Sequence, residues 1–253
     1  MNTSMKMNQG KRSIGAALAV IVLLLCVCTA MAARVAPSRG GRGEAATTTV
    51  SVGTTTDAGD KYDVAKFTAP WFCHGIDCPV FRPLNDKNET SKLWEERFYP
   101  AAEWTETYVS GVDLDKAEGM GFQRLFQYIS GANDKQQKVA MTAPVLNYIT
   151  PGEGPFCEDH FNISFFVPFD LQGKAPKPTS PDVYSVQRPP MHVYVTSFGG
   201  YADADKLQSA AADLAGNLAM HDISFDQEHF YFAGYDSPFR VLDRHNEVWF
   251  LAK

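Results

Sequence analysis

Acidic residues are absent before Glu44, whereas Lys6, Lys11, Arg12, Arg34, Arg39 and Arg42 all fall there. From Glu44 onward the balance reverses to 17 basic against 29 acidic residues, a net charge of −12. A body that acidic repels phosphate backbones and anionic leaflets, so nucleic-acid binding and electrostatic lipid binding are not expected. Catalytic signatures are missing as well. There is no G-x-S-x-G, no P-loop and no dinucleotide fingerprint, which removes the usual nucleophilic and nucleotide chemistries. His74, His160, His192, His221, His229 and His245 form neither H-x-x-x-H nor H-E-x-x-H, so no zinc site is expected. Residues 34–60 hold no aromatic side chain and little aliphatic bulk, too little to offset the entropy of ordering.

What is present starts with the one long uncharged run, "IGAALAVIVLLLCVCTAMAA" at 14–33, preceded by Lys6, Lys11 and Arg12. A basic start, an apolar core and small residues at Ala30, Ala32 and Ala33 make residues 1–33 a secretory signal peptide, or a signal anchor if uncleaved. A plastid transit peptide would not be so apolar. The body is therefore expected outside the cell, or held at its surface by the N-terminal segment. Residues 34–65 read as a flexible Thr/Gly-rich linker and 66–253 as one folded domain.

Five cysteines are few for a secreted chain, and Cys26 and Cys28 lie in the apolar run. An oxidising destination predicts at least one disulfide among Cys73, Cys78 and Cys157, with Cys73–Cys78 and a bond from either to Cys157 all open. Asn88-Glu89-Thr90 and Asn162-Ile163-Ser164 are glycosylation sequons, usable if the asparagine is exposed.

Two stretches carry helical periodicity. In 113–131, Phe122, Leu125, Phe126 and Ile129 mark the face to be buried, Asp113 can cap the start and Gly131 can end it. In 203–221, Leu207, Ala211, Leu214 and Leu218 do the same. Strands are expected at Trp104–Ser110, Val139–Thr150, Phe161–Val167, Val183–Arg188, Met191–Phe198, His229–Tyr235 and Val248–Ala252. Pro144 interrupts the second of these, and with Thr142 it suggests a bulge that redirects the strand. The Pro-rich stretch 167–182 connects two halves. The order strand, helix, strand, strand occurs twice, with helices about 90 residues apart, which predicts an α+β fold: a curved or closed antiparallel sheet carrying two helices.

With these elements placed, "KVAMTAPV" (138–145) resembles the K-x-x-M-T-A-P-V signature of the SOUL/heme-binding protein family. "WEERFYPAAEW" (94–104), "YISGAND" (128–134), "PGEGPF" (151–156), "AGYDSP" (233–238) and "NEVWF" (246–250) resemble further family stretches in the same order, so the likeness covers about 66–253. Cys73…Cys78-Pro79 and Gly154-Pro155-Phe156-Cys157 look most like its secreted branch. The resemblance implies two βαββ units forming a distorted antiparallel β-barrel flanked by two helices. It also implies non-covalent binding of heme or a related tetrapyrrole on an apolar surface, without catalysis.

Residue by residue the likeness is uneven. Some members carry an axial His in the R-x-Y strand, where this chain has Phe98, so no pre-set axial His is expected. Gly119 and Gln127 stand where some members carry basic residues on the first helix. Arg240 matches a basic loop position able to face a propionate. Met120, Phe122 and Phe126 can line an apolar groove, with Met141 able to join them, although a core role is the more ordinary expectation for that helix face. Glu247 can face a central cavity, or else pair with Arg244 or meet solvent. The functional expectation is a secreted binder or carrier of heme or another tetrapyrrole through Met120, Phe122, Phe126, Arg240 and Glu247. Two other functions fit the sequence: a small-molecule or porphyrin-modifying hydrolase built on Glu247, and a protein-interaction module using the second helix. His74, set between two cysteines, is the nearest approach to a metal cluster, and Cys78-Pro79 is a possible thiolate ligand if Cys78 is unpaired.

Overall fold

The computed structural model describes residues 67–85, 93–150 and 160–253. The expectations for 1–33, 34–65, Asn88 and Cys157 lie outside the described residues. The expected α+β architecture is present: a curled, nine-stranded antiparallel sheet forms a half-barrel with two helices on its outer face. The strands are β1 (Arg82–Pro83), β2 (Glu95–Tyr99), β3 (Ala102–Ser110), β4 (Val145–Thr150), β5 (His160–Phe166), β6 (Tyr184–Arg188), β7 (Met191–Phe198), β8 (Phe230–Gly234) and β9 (Asn246–Leu251). Helix α1 (Leu114–Ile129) and helix α2 (Ala204–Met220) follow β3 and β7 respectively.

The sheet order is β1-β2-β7-β9-β8-β4-β5-β3-β6. Reading outward from the central β8–β4 pair, β8-β9-β7-β2 mirrors β4-β5-β3-β6, so two βαββ units are related by an approximate two-fold. The strands leading into each unit change sides. β2 runs into β3 through Pro100 but pairs with β7, and β6 runs into β7 through Pro189 and Pro190 but pairs with β3.

Alternation along the strands separates two cores. Ile149, Phe161, Ile163, Phe165, Phe232, Val248 and Phe250 face the helices, which contribute Leu125, Ile129, Leu207, Leu214 and Leu218. The concave face holds Tyr99, Trp104, Leu146, Phe166, Val193, Val195, Tyr231 and Trp249. Each such apolar side chain taken from water contributes roughly 1.5–3 kcal/mol.

Both helices begin where an aspartate can accept a backbone N–H. Asp113 Oδ1 takes Lys116 N at 2.9 Å and Asp203 Oδ1 takes Lys206 N at 2.9 Å, caps worth about 1 kcal/mol each. Gly131, at φ +120, ends the α1 exit in a conformation open to glycine. The apolar face of α1 differs from the sequence expectation. Ala117, Gly121, Leu125, Tyr128 and Ile129 are buried, while Phe122, Phe126 and Met120 are exposed. Gly121 explains the rotation: a Cβ there would lie 2.8 Å from Ile163, so the helix rests on the sheet along its smallest residue.

The expected strand Val139–Thr150 begins only at Val145. Residues 139–144 leave the ladder altogether, with Ala143–Pro144 cis. Thr142 Oγ1 donates to Phe166 O at 2.7 Å and Ala143 N donates to Asp77 O at 3.0 Å. The proline thus marks where the strand starts, not a bulge within it. Periodicity also omitted β2, which the sequence marked only as the R-x-Y strand of the family resemblance.

Candidate functional site

On the concave face, β2 and β9 place Arg97 and Glu247 in contact although 150 residues separate them. Arg97 Nη1 and Nη2 donate to Glu247 Oε2 and Oε1 at 3.1 and 3.0 Å. Glu247 also accepts from Tyr235 OH at 3.0 Å and Trp249 Nε1 at 2.8 Å, and His245 Nε2 lies 2.7 Å from Oε1. Arg97 Nε donates to Glu95 at 2.7 Å, and its guanidinium stacks 4.3 Å over Phe81. Burial alone would raise the Glu247 carboxyl, but Arg97 and the His245 contact hold it at about 2. Tyr99 and Tyr235 are pushed above the ordinary tyrosine range, chiefly by burial.

The other repeat holds a second buried arginine–glutamate pair, with Arg188 on β6 where β2 carries Arg97 but with its carboxylate on β3. Glu106 on β3 accepts from Arg188 Nη2 at 2.5 Å, Ser164 Oγ at 2.9 Å, Asn162 Nδ2 at 2.5 Å and Tyr184 OH at 3.1 Å. Both carboxylates are fully engaged.

A different arrangement meets solvent at one rim of the sheet. The Trp71–Cys73 3₁₀ turn, the Gly199–Gly200 corner after β7 and the loop joining β8 to β9 border a shallow depression of about 650 Å3, lined by Trp71, Gly199, Gly200, Arg240, Asp243 and Arg244. A disulfide joins Cys73 to Cys78, their Cα atoms 6.0 Å apart, closing one of the pairings left open by the sequence. It holds the turn in place: Phe72 stacks on His245 at 4.0 Å, and Trp71 lies edge-on to the same ring at 5.6 Å. The fully buried Asp236 carboxylate gathers the loop, lying 2.8 Å from His74 Nε2 and 3.1 Å from Arg240 Nε while accepting His245 N at 2.6 Å. Arg244 Nη1 donates to Ser237 O at 2.7 Å and Arg240 O at 2.8 Å, and its Nε reaches Gly200 O at 3.2 Å. The loop is thereby fixed, with Phe239, Val241 and Leu242 turned outward.

The sequence candidates are thus dispersed. Arg240 borders the depression. Met120, Phe122 and Phe126 are exposed on α1, where Phe122 and Phe126 stack at 5.8 Å and Phe122 meets Phe165 edge-on at 5.4 Å. Glu247 is a correction: it faces neither a groove nor solvent, nor does it pair with Arg244, because Arg97 is its ion-pair partner and its exposure is 0%. Cys78, being in a disulfide, offers no thiolate, and a Cys73-His74-Cys78 metal site is excluded for the same reason. Asn162 sits mid-strand with its amide on Glu106 and Ser164 is fully buried, so the folded chain does not meet the exposure condition for that sequon. Phe98 lies on β2 opposite His192, beneath the Arg82 guanidinium at 5.8 Å. Trp71, Phe239, Val241 and Leu242 were not singled out by the sequence, and Arg244 only as a partner for Glu247. The loop residues among them are signalled by the mixture of apolar and basic side chains in "PFRVLDR" (238–244), and Trp71 has no such signal.

Fold and site together define a βαββ-repeat half-barrel with a shallow depression at its rim, bordered by Trp71, Arg240, Asp243 and Arg244. The chain belongs to the SOUL heme-binding protein family, whose match spans residues 76–251. It is 39% identical over 178 residues to Heme-binding protein 2 of Homo sapiens, covering 70% of this chain and 87% of that protein. It is 34% identical over 158 residues to Heme-binding protein 1 of Xenopus laevis, covering 62% and 83%. Among solved structures, the EcmrR–DNA complex aligns at a TM-score of 0.50 and 13% identity, covering 65% of this chain and 60% of that one, a likeness of fold alone.

Proposed function

We propose that this chain binds heme or a related tetrapyrrole, non-covalently and without catalysis, at the depression beside the β8–β9 loop. The observation that carries this reading is the convergence of two guanidinium groups, Arg240 and Arg244, with the exposed indole of Trp71 around one depression. A tetrapyrrole asks for a flat apolar contact and cations for its propionates, and these residues fit both requirements. Met120, Phe122 and Phe126 offer a second apolar surface on α1. The names of the relatives, Heme-binding protein 1 and 2, support the same cargo.

A bound heme would supply an iron centre; the chain's part is to hold and orient the ring. Phe98 provides no imidazole on β2, so holding rests on ring contact and propionate pairing. Buried ring area of a few hundred Å2, at about 25 cal/mol per Å2 and after association costs, corresponds to micromolar affinity. Glu247 serves the fold instead of a hydrolytic reaction, since five donors already surround its carboxylate. Secretion by the 1–33 segment would make such a binder an extracellular carrier or buffer.

Hemin titration followed at the Soret band tests this. Saturable binding that weakens in both Trp71→Ala and Arg240→Ala is expected. Binding unchanged in the double variant overturns the placement, and no saturable binding in the parent overturns the function.

A further inference from the structure

The β8–β9 loop presents more apolar surface than a tetrapyrrole site needs. Phe239 is 90% exposed, Val241 70% and Leu242 75%. Loops normally fold such side chains inward, because apolar area left in water forgoes its burial energy. Here the backbone forbids it. Arg244 ties down the carbonyls of Ser237, Arg240 and Gly200, and buried Asp236 fixes the loop's first turn. The three side chains are therefore held out, not left out.

We infer that this loop inserts into the interfacial layer of a lipid bilayer. Three observations favour a bilayer over a protein partner. First, a side chain 90% exposed stands clear of its surroundings; a protein would need a matching pocket for it, whereas lipid has no fixed shape to match. Second, the residues at its base follow the order found across a membrane interface, with apolar tips outermost and cations and amphipathic aromatics behind them. Arg240 and Arg244 supply the cations and Trp71 and Tyr201 the aromatics; Tyr201 OH donates to Pro238 O at 3.3 Å, and the Arg244 guanidinium lies 4.3 Å over the Tyr201 ring. Third, the loop's two arginines balance Asp236 and Asp243, so the loop is neutral in a body of net charge −12 and does not add to the repulsion that an acidic surface meets at headgroups.

Attachment then depends on apolar insertion, with the arginines meeting headgroup phosphates. It is weak, reversible and little affected by added anionic lipid, because the body's charge opposes that lipid. The depression opens at the base of the same loop, which lets an apolar ring pass between bilayer and protein without crossing water. That last step rests on the tetrapyrrole reading; insertion itself does not.

The test uses the full chain with phosphatidylcholine vesicles carrying bromine on their acyl chains, which quench tryptophan on contact. Phe239→Trp is expected to lose fluorescence beyond the loss shown by the parent chain. Met220→Trp, an exposed position at the end of α2, is expected to show no extra loss even if residues 14–33 bind the vesicle. Equal quenching at both positions, or none at position 239, overturns the inference. Hemin titration of the same Phe239→Trp protein separates the two readings. Quenching without hemin binding leaves insertion standing and removes the cargo; hemin binding without quenching removes insertion and leaves the cargo.

Discussion

Arg97 and Glu247 form a bidentate pair, at 3.0 and 3.1 Å, with 2% and 0% of their surfaces exposed. Removing one partner leaves the other charged and buried, which costs about 3–5 kcal/mol. Glu247→Ala should therefore lower unfolding free energy by that amount in urea titrations. A change below about 1 kcal/mol would show that the network is replaceable.

Two carboxyls should shape the pH dependence in opposite directions. Glu247 is held at about 2 against an ordinary 4.5, so its stabilisation is present above 4.5 and disappears as pH falls towards 2. Glu118, half-buried on α1, is pushed up to about 7 by burial and by Asp115, despite the Asn147 Nδ2 hydrogen bond at 2.8 Å. The folded state keeps that proton longer than the unfolded chain, so stability falls as pH rises from 4.5 to about 7, by up to about 3 kcal/mol. Among these groups the optimum is mildly acidic.

Glu118→Gln should remove the fall on the neutral side. The amide keeps an acceptor for Asn147 Nδ2 and gains a donor for Asn147 Oδ1, a buried atom with no partner among the described residues. Denaturation midpoints on either side of the 4.5-to-7 window should converge in this variant; an unaltered pH slope would mean that Glu118 does not titrate in that range.

Gly121→Ala should destabilise by about 1–3 kcal/mol, because its Cβ would meet Ile163 at 2.8 Å. Adding Ile163→Val should recover part of the loss. Thermal melts of the single and double variants measure the coupling, and strict additivity would mean that α1 simply shifts.

Phe98→His should leave the hemin spectrum unchanged, because Phe98 pairs with His192 at the start of β7 whereas the depression opens past the end of that strand, at Gly199 and Gly200. A Soret band sharpened in the variant would place the ring on β2 instead, and a parent spectrum already ligated and abolished by changing one histidine would show that the parent holds iron through an imidazole.

Local pattern carried the repeat, both helices, the Asp113 cap and the disulfide at Cys73–Cys78 as one of three alternatives. It did not carry the orientation of α1. Phe122, Leu125, Phe126 and Ile129 share one helical stripe, and only the missing side chain at Gly121 decides which edge of that stripe meets the sheet. It did not carry Arg97–Glu247 either, since neither residue has a local reason to be buried and their meeting depends on β2 joining the far half of the sheet. The loop at 238–244 was illegible for another reason: its apolar residues look like core until the hydrogen bonds of Arg244 show that the backbone turns them out.

The crossing of β2 and β6 has a consequence for how this chain assembles. Each repeat completes its sheet with a strand that is covalently continuous with the other, so the repeats are interlocked in the manner of two partners that have exchanged arms. Neither half can mature alone, and a break in the 167–182 connection would give fragments that remain unfinished apart yet complementary when mixed. The duplication visible in sequence is thus a single cooperative unit in folding.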